Sequence, residues 1–167
     1  MEATRSAVVI TVSDSCFAGT REDASGPAVA AVLRSHGFSV QPIVTVPDEV
    51  DAIASALRKQ ALNAPLVVTT GGTGIALRDV TPEATRLVCD RILDGFAERM
   101  RSEGLKQTPL APLSRAVCGV LRPGGKDHAV ALVINLPGSP AGAVASLQAV
   151  LGLIPHALAL LAGDTDH

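Results

Sequence analysis

A chain of 167 residues, 47% apolar and 18% charged, with a net charge of −2, suits one domain with a full core. It carries no basic run, no Trp or Tyr and only three Phe, which argues against nucleic-acid binding. No signal sequence and no bilayer-spanning apolar run are expected, and the scattered Cys16, Cys89 and Cys118 form no disulfide or metal pattern, so a cytoplasmic protein is expected.

Ala7 to Val12 reads as a short apolar, β-branched strand, and Ser13 to Gly19 as a polar loop at its end. Ser25-Gly26-Pro27 reads as a helix start, with a helical pattern over Ala28 to His36 closed by Gly37. Phe38 to Val46 predicts a second strand, interrupted by Pro42 and therefore bent or near an edge. Pro47-Asp48-Glu49-Val50-Asp51 opens a helix whose apolar face is Ile53, Ala54, Leu57, Ala61 and Leu62. Leu66 to Thr70 predicts a buried strand, and Gly71-Gly72-Thr73-Gly74 a glycine loop. Helices come next over Thr81 to Asp90 and Gly95 to Gly104. Ala116 to Leu121 and Ala129 to Leu136 read as two strands of an antiparallel hairpin around a turn at Arg122 to His128. Ser139 caps the last helix, Pro140 starts it, and Pro155 kinks or divides it on the way to Leu161. Strands alternating with helices imply a three-layer αβα sandwich with a mostly parallel central sheet and a hairpin near the C-terminal half, in one domain over 1–167.

Strand, glycine loop and helix in that order bring bare backbone N–H groups to a ligand, because an oxyanion can approach where no Cβ intervenes. The loop is neither a Walker loop nor a dinucleotide fingerprint, and alone it is a weak signal. Thr81 can cap the following helix, with Pro82 at its first position, which leaves Asp79 free for another task. A carboxylate beside a phosphate cradle calls for a cation between the two, hence Mg²⁺ and phosphoryl or nucleotidyl chemistry. The plain alternatives are an Arg78–Asp79 surface pair and a second turn residue.

If the strands are parallel, three loops share one rim and form an anion site. They supply Ser13, Asp14 and Ser15, then Gly71, Gly72, Thr73 and Gly74, then Asn135, Pro137, Gly138 and Ser139. Asp14 has two readings, a metal or hydroxyl ligand and an Asx-turn; Asp48 shares a cation with Asp79 or caps its helix. Asn135 orients a ligand or forms a turn. Ser139 caps its helix yet can also meet a phosphate. No histidine pairs with a nucleophile, so a hydrolytic triad is not supported, and Cys16 is the rim's one cysteine.

Ser13-Asp14-Ser15, Pro47-Asp48-Glu49, Thr69-Thr-Gly-Gly-Thr-Gly74, Arg78-Asp-Val-Thr-Pro-Glu83, Gly95-Phe96 with Met100-Arg101, Leu113-Ser-Arg115 and Asn135-Leu-Pro-Gly-Ser-Pro140 form an ordered set. Together they resemble the MoaB/Mog family of molybdenum-cofactor biosynthesis, which includes the gephyrin G domain. The resemblance implies molybdopterin adenylyltransferase activity. Molybdopterin and ATP would give adenylyl-molybdopterin and pyrophosphate with Mg²⁺, and Asp48 and Asp79 match the family's functional acids. It also implies a homotrimer, sometimes paired into a hexamer, and a downstream molybdate-insertion protein as partner. The alternatives are a non-catalytic molybdopterin carrier or scaffold of the same fold, and the related competence-damage domain. Two departures stand out. Cys16 stands where relatives often carry Arg, and the turn at Arg122 to His128 is longer than usual.

Overall fold

The computed structural model describes residues 5–125 and 129–164. In its centre three parallel strands lie side by side: β1 (Ser6–Val12), β4 (Leu66–Thr70) and β7 (Ala131–Leu136). Their register matches Ala7 with Leu66 and Leu66 with Leu132, so the three carboxyl ends meet on one rim. Each is apolar on both faces, as a strand covered from both sides must be. Ala7, Val9, Leu66, Val68, Leu132 and Ile134 face one core; Val8, Ile10, Val67 and Val133 face the other.

The first core is closed by α2 (Ser25–Ser35), α5 (Asp94–Gly104), α6 (Pro140–Val150) and α7 (Ile154–Leu161). The second is closed by α3 (Val50–Ala61) and α4 (Thr81–Val88). This is the expected αβα sandwich. The expected antiparallel pair is present as β6 (Cys118–Leu121) against β7. Residues 126–128 of the turn expected at Arg122 to His128 lie outside the described residues.

Several expectations need correction. The strand expected over Phe38 to Val46 is two pieces, β2 (Ser39–Val40) and β3 (Val44–Val46), both paired to β1, because Pro42 lies in the gap and has no N–H for the ladder. A two-residue edge strand, β5 (Arg91–Ile92), extends the sheet beyond β6; it is too short to leave a periodic signal. The loop after β1 folds into a single turn, α1 (Asp14–Phe17), with Ser13 Oγ accepting from Cys16 N at 3.2 Å. Helix α4 is not capped by Thr81, which is its first helical residue; the preceding Val80 offers no side-chain cap. Ser139 does cap α6, accepting from Gly142 N at 3.2 Å. A short 3₁₀ turn (Leu151–Leu153) precedes Pro155 and separates α6 from α7. The stretch Pro140–Leu161 is nevertheless apolar and long enough, by length and composition, to cross a membrane, contrary to the sequence reading. Ala143, Leu147, Val150 and Ile154 on it are fully buried against the sheet, which accounts for part of that apolar character.

Candidate functional site at the carboxyl rim

Beyond the carboxyl ends of the three central strands lie α1, the glycine loop, and Pro137-Gly138-Ser139 before α6. Two cavities open there and share a wall made of Gly72, Asp79, Gly138 and Ser139. The larger, about 470 Å³, runs toward Met100, Leu110 and Leu113 and is mainly apolar. The smaller, about 390 Å³, is polar and reaches Ser13, Cys16, Arg21, Asp23 and Asp48. One polar and one apolar chamber meeting over a glycine loop suit a reaction that joins two ligands through their charged ends.

Within the loop, every carbonyl from Gly71 to Gly74 is taken. Thr81 Oγ1 donates to Gly71 O at 2.9 Å, and Thr81 N donates to Gly72 O at 3.1 Å. Arg115 N donates to Thr73 O and Arg115 Nε to Gly74 O, both at 2.7 Å. A trans peptide points its C=O and its N–H in opposite directions. The N–H groups of Gly72, Thr73, Gly74 and Ile75 therefore face away from Thr81 and Arg115. Among the described residues no acceptor meets them. Gly71 and Gly72 hold φ of +92° and +67°, where an L side chain is strained. The result is a run of backbone donors without a protein partner among the described residues, the kind of feature that suits an anion.

Two carboxylates face this row. A Cβ on Gly72 would lie 3.2 Å from Asp48 Oδ1, and one on Gly74 would lie 2.8 Å from Asp79 Oδ2. Asp48 is not a helix cap: Glu49 occupies that position on α3. Instead Asp48 and Asp14 grip one another. Asp14 N donates to Asp48 Oδ2 at 2.9 Å, and Asp48 N donates to Asp14 Oδ1 at 3.0 Å. Arg78 reaches Asp14, not Asp79, donating from Nε at 3.0 Å and from Nη2 at 2.8 Å, so the alternative of an Arg78–Asp79 surface pair is not formed. Asp79 turns back on its own loop and accepts from Ala76 N at 3.0 Å.

The electrostatics separate these acids. Arg78 holds the Asp14 carboxyl below the usual range, with the Asp48 N–H helping. Asp48 is pushed up, chiefly by burial and further by the negative charges of Asp14 and Asp79. A rim with two neighbouring carboxylates, one of them destabilised as an anion, favours a cation. Among the described residues no cluster of three or more His, Cys, Asp or Glu is arranged for a metal. A cation here would take its remaining ligands from substrate or water.

The sequence-predicted residues do not all converge. Ser13, Gly71, Gly72, Asp48, Asp79, Gly138 and Ser139 line the polar cavity; Thr73, Gly74 and Pro137 line the apolar one. Ser15 meets Ser13, with 3.2 Å between their hydroxyls. Asn135 is the clear correction. It is fully buried within β7: Nδ2 donates to Thr69 Oγ1 and Thr85 Oγ1, and Oδ1 accepts from Val117 N. With both amide hydrogens and the carbonyl engaged, it ties β4, β7 and α4 together and cannot orient a ligand. Thr81 and Arg115 organise the glycine loop, a role not read from the sequence, where Thr81 is a cap and Arg115 one residue of a motif. Their signal, Thr81 two residues after Asp79 and Arg115 within Leu113-Ser-Arg115, is readable only once the fold brings both to the loop.

A family model described as a probable molybdopterin binding domain matches residues 8–156. The chain belongs to this family. It is 41% identical over 162 residues to a Helicobacter pylori protein named molybdopterin adenylyltransferase, covering 93% of this chain and 87% of that one. The Escherichia coli K12 protein of the same name is 39% identical over 146 residues, covering 85% and 71%. Among solved structures, the molybdopterin biosynthesis enzyme MoaB from Thermus thermophilus superposes with a TM-score of 0.84 at 46% identity, covering 95% and 96% of the two chains.

Proposed function

We propose that the protein is a molybdopterin adenylyltransferase acting in molybdenum-cofactor biosynthesis. The observation that carries this is the glycine loop with all four carbonyls turned away, two carboxylates in front, and a cavity on each side. The names of the relatives point the same way. The apolar and polar chambers hold the organic ends of molybdopterin and ATP, and their phosphates meet over Gly72 to Gly74. An oxygen of molybdopterin's terminal phosphate attacks the α-phosphorus of ATP. A new P–O bond forms, the bond from the α-phosphorus to the bridging oxygen breaks, and pyrophosphate leaves. The chain supplies no nucleophile. Its N–H groups hold oxygens, and its loops align the two polyanions.

The donor set fits Mg²⁺: hard carboxylate oxygens from Asp48 and Asp79, too few to complete a shell, beside a place for phosphate oxygens. Bound there, Mg²⁺ would neutralise charge between the two substrates. We also assign the chain a homotrimer, or a hexamer built from two, with a molybdate-insertion protein as the downstream acceptor. The exposed apolar surface of α6 and α7 supports the assembly: only 22% of the apolar window within Pro140–Leu161 is buried in one chain, and Leu153 is 48% exposed.

Pyrophosphate release against Mg²⁺ concentration tests the chemistry. Asp48→Asn and Asp79→Asn should bind molybdopterin nearly normally yet turn over roughly 10²–10³-fold more slowly, the usual loss for one transition-state electrostatic contact. Asp79→Asn should also need more Mg²⁺. Wild-type turnover by both variants would refute the assignment of the two acids.

A further inference from the structure

We propose that Arg115 is a positioning residue of the transfer site, holding the glycine loop's peptides so that their N–H groups, not their carbonyls, face substrate phosphate. This rests on the phosphate-cradle reading of the loop but concerns a residue that takes no part in the chemistry. Arg115 lies between a 3₁₀ turn (Ala111–Leu113) and β6 and meets the loop and the helix after it at four places. Its main-chain N holds Thr73 O, its Nε holds Gly74 O, and its Nη2 donates to Asp79 O at 2.8 Å. Its Nη1 donates to Glu83 Oε1, in the first turn of α4. Glu83 thus orients the guanidinium, and Arg115 in turn holds the Glu83 carboxyl below its ordinary range. Thr81, two residues earlier in the same turn, takes the other two loop carbonyls.

The geometry requires a guanidinium. Two carbonyls and a carboxylate lie in different directions, and a planar fork with donors on three nitrogens meets all three at once. An ammonium on a flexible stem is a single point and would leave at least one carbonyl free. A freed Gly74 or Asp79 peptide could then rotate. A carbonyl turned toward the cradle would repel the phosphate that an N–H attracts. The backbone bond from Arg115 N to Thr73 O does not depend on the side chain, so substitution should loosen the loop without releasing it.

A role confined to the fold would weaken every ligand alike, whereas a role in presenting N–H groups would weaken only phosphate-bearing ones. Titration calorimetry on the whole chain therefore compares molybdopterin with its dephosphorylated form, and ATP with adenosine. Arg115→Lys should weaken at least one phosphate-bearing ligand by about tenfold, the loss of roughly one charge-assisted hydrogen bond, and leave its phosphate-free counterpart within about twofold. Glu83→Gln keeps an acceptor for Nη1 but removes its charge; it should show the same selectivity at smaller size, and it carries the test should Arg115→Lys fail to fold. Equal losses for phosphate-bearing and phosphate-free ligands, or no loss in either variant, would overturn the proposal. Binding is read without turnover, so this outcome is separate from that of the Asp48 and Asp79 variants.

Discussion

Asn135→Ala removes two donors and an acceptor from a site with no exposure. The Val117 N–H and the Thr69 hydroxyl lose their partner in the core, while the Thr85 hydroxyl keeps its bond to Thr81 O, and each buried unsatisfied group costs about 1–3 kcal/mol. Urea unfolding should show a loss on the order of 3 kcal/mol, while molybdopterin affinity in the folded fraction stays unchanged. A tenfold loss of affinity at wild-type stability would instead return Asn135 to the ligand. At this scale sequence reading divides by what a pattern can carry. The place of Asp79 on the rim was legible because the pattern reads Thr81 as the cap, although Thr81 is a loop anchor. Local pattern alone left Asp48 ambiguous between cap and site, since it does not show that Glu49 holds the cap position or that Asp14 meets it from the end of the neighbouring strand. Arg115 was invisible as an actor because its side-chain partners are 32 to 41 residues away.

The strand–glycine loop–helix unit was the most legible element, since its apolar run, glycines and Pro82 are contiguous in sequence. Its inner geometry was not. A Cβ on Gly72 would collide with Thr81 Oγ1 at a φ of +67°. Gly72→Ala should therefore lower stability and activity together: the left-handed backbone alone costs an L residue roughly 1–2 kcal/mol. Gly138 differs. A Cβ there meets Gly71 Cα at 3.4 Å and nothing closer. Gly138→Ala should keep its melting temperature near wild type while narrowing the gap between the two loops and raising KM. Paired melting curves and steady-state kinetics check this; a large drop in melting temperature for Gly138→Ala, or none for Gly72→Ala, would contradict it. Two short elements, β5 and α1, escaped the sequence because they are set by pairing and capping rather than by periodicity.

For the whole molecule, the layer order and the single carboxyl rim followed from alternating strands and helices, and α6 with α7 shows what one chain leaves open. Leu153 and Leu160 are 48% and 41% exposed on an apolar surface that water disfavours. Light scattering at micromolar concentration should report three times the 17.0 kDa protomer or a multiple of that; a lone protomer mass would contradict the assembly. The central claim is that this rim moves an adenylyl group onto molybdopterin rather than storing the pterin. The most direct measurement incubates the wild-type protein with molybdopterin, Mg²⁺ and ATP labelled on either the α- or the γ-phosphorus, and follows the label. The account predicts that α-label appears on molybdopterin with an equal amount of pyrophosphate, and that γ-label leaves entirely in the pyrophosphate. Tight molybdopterin binding with no transfer of α-label would contradict it and leave a carrier.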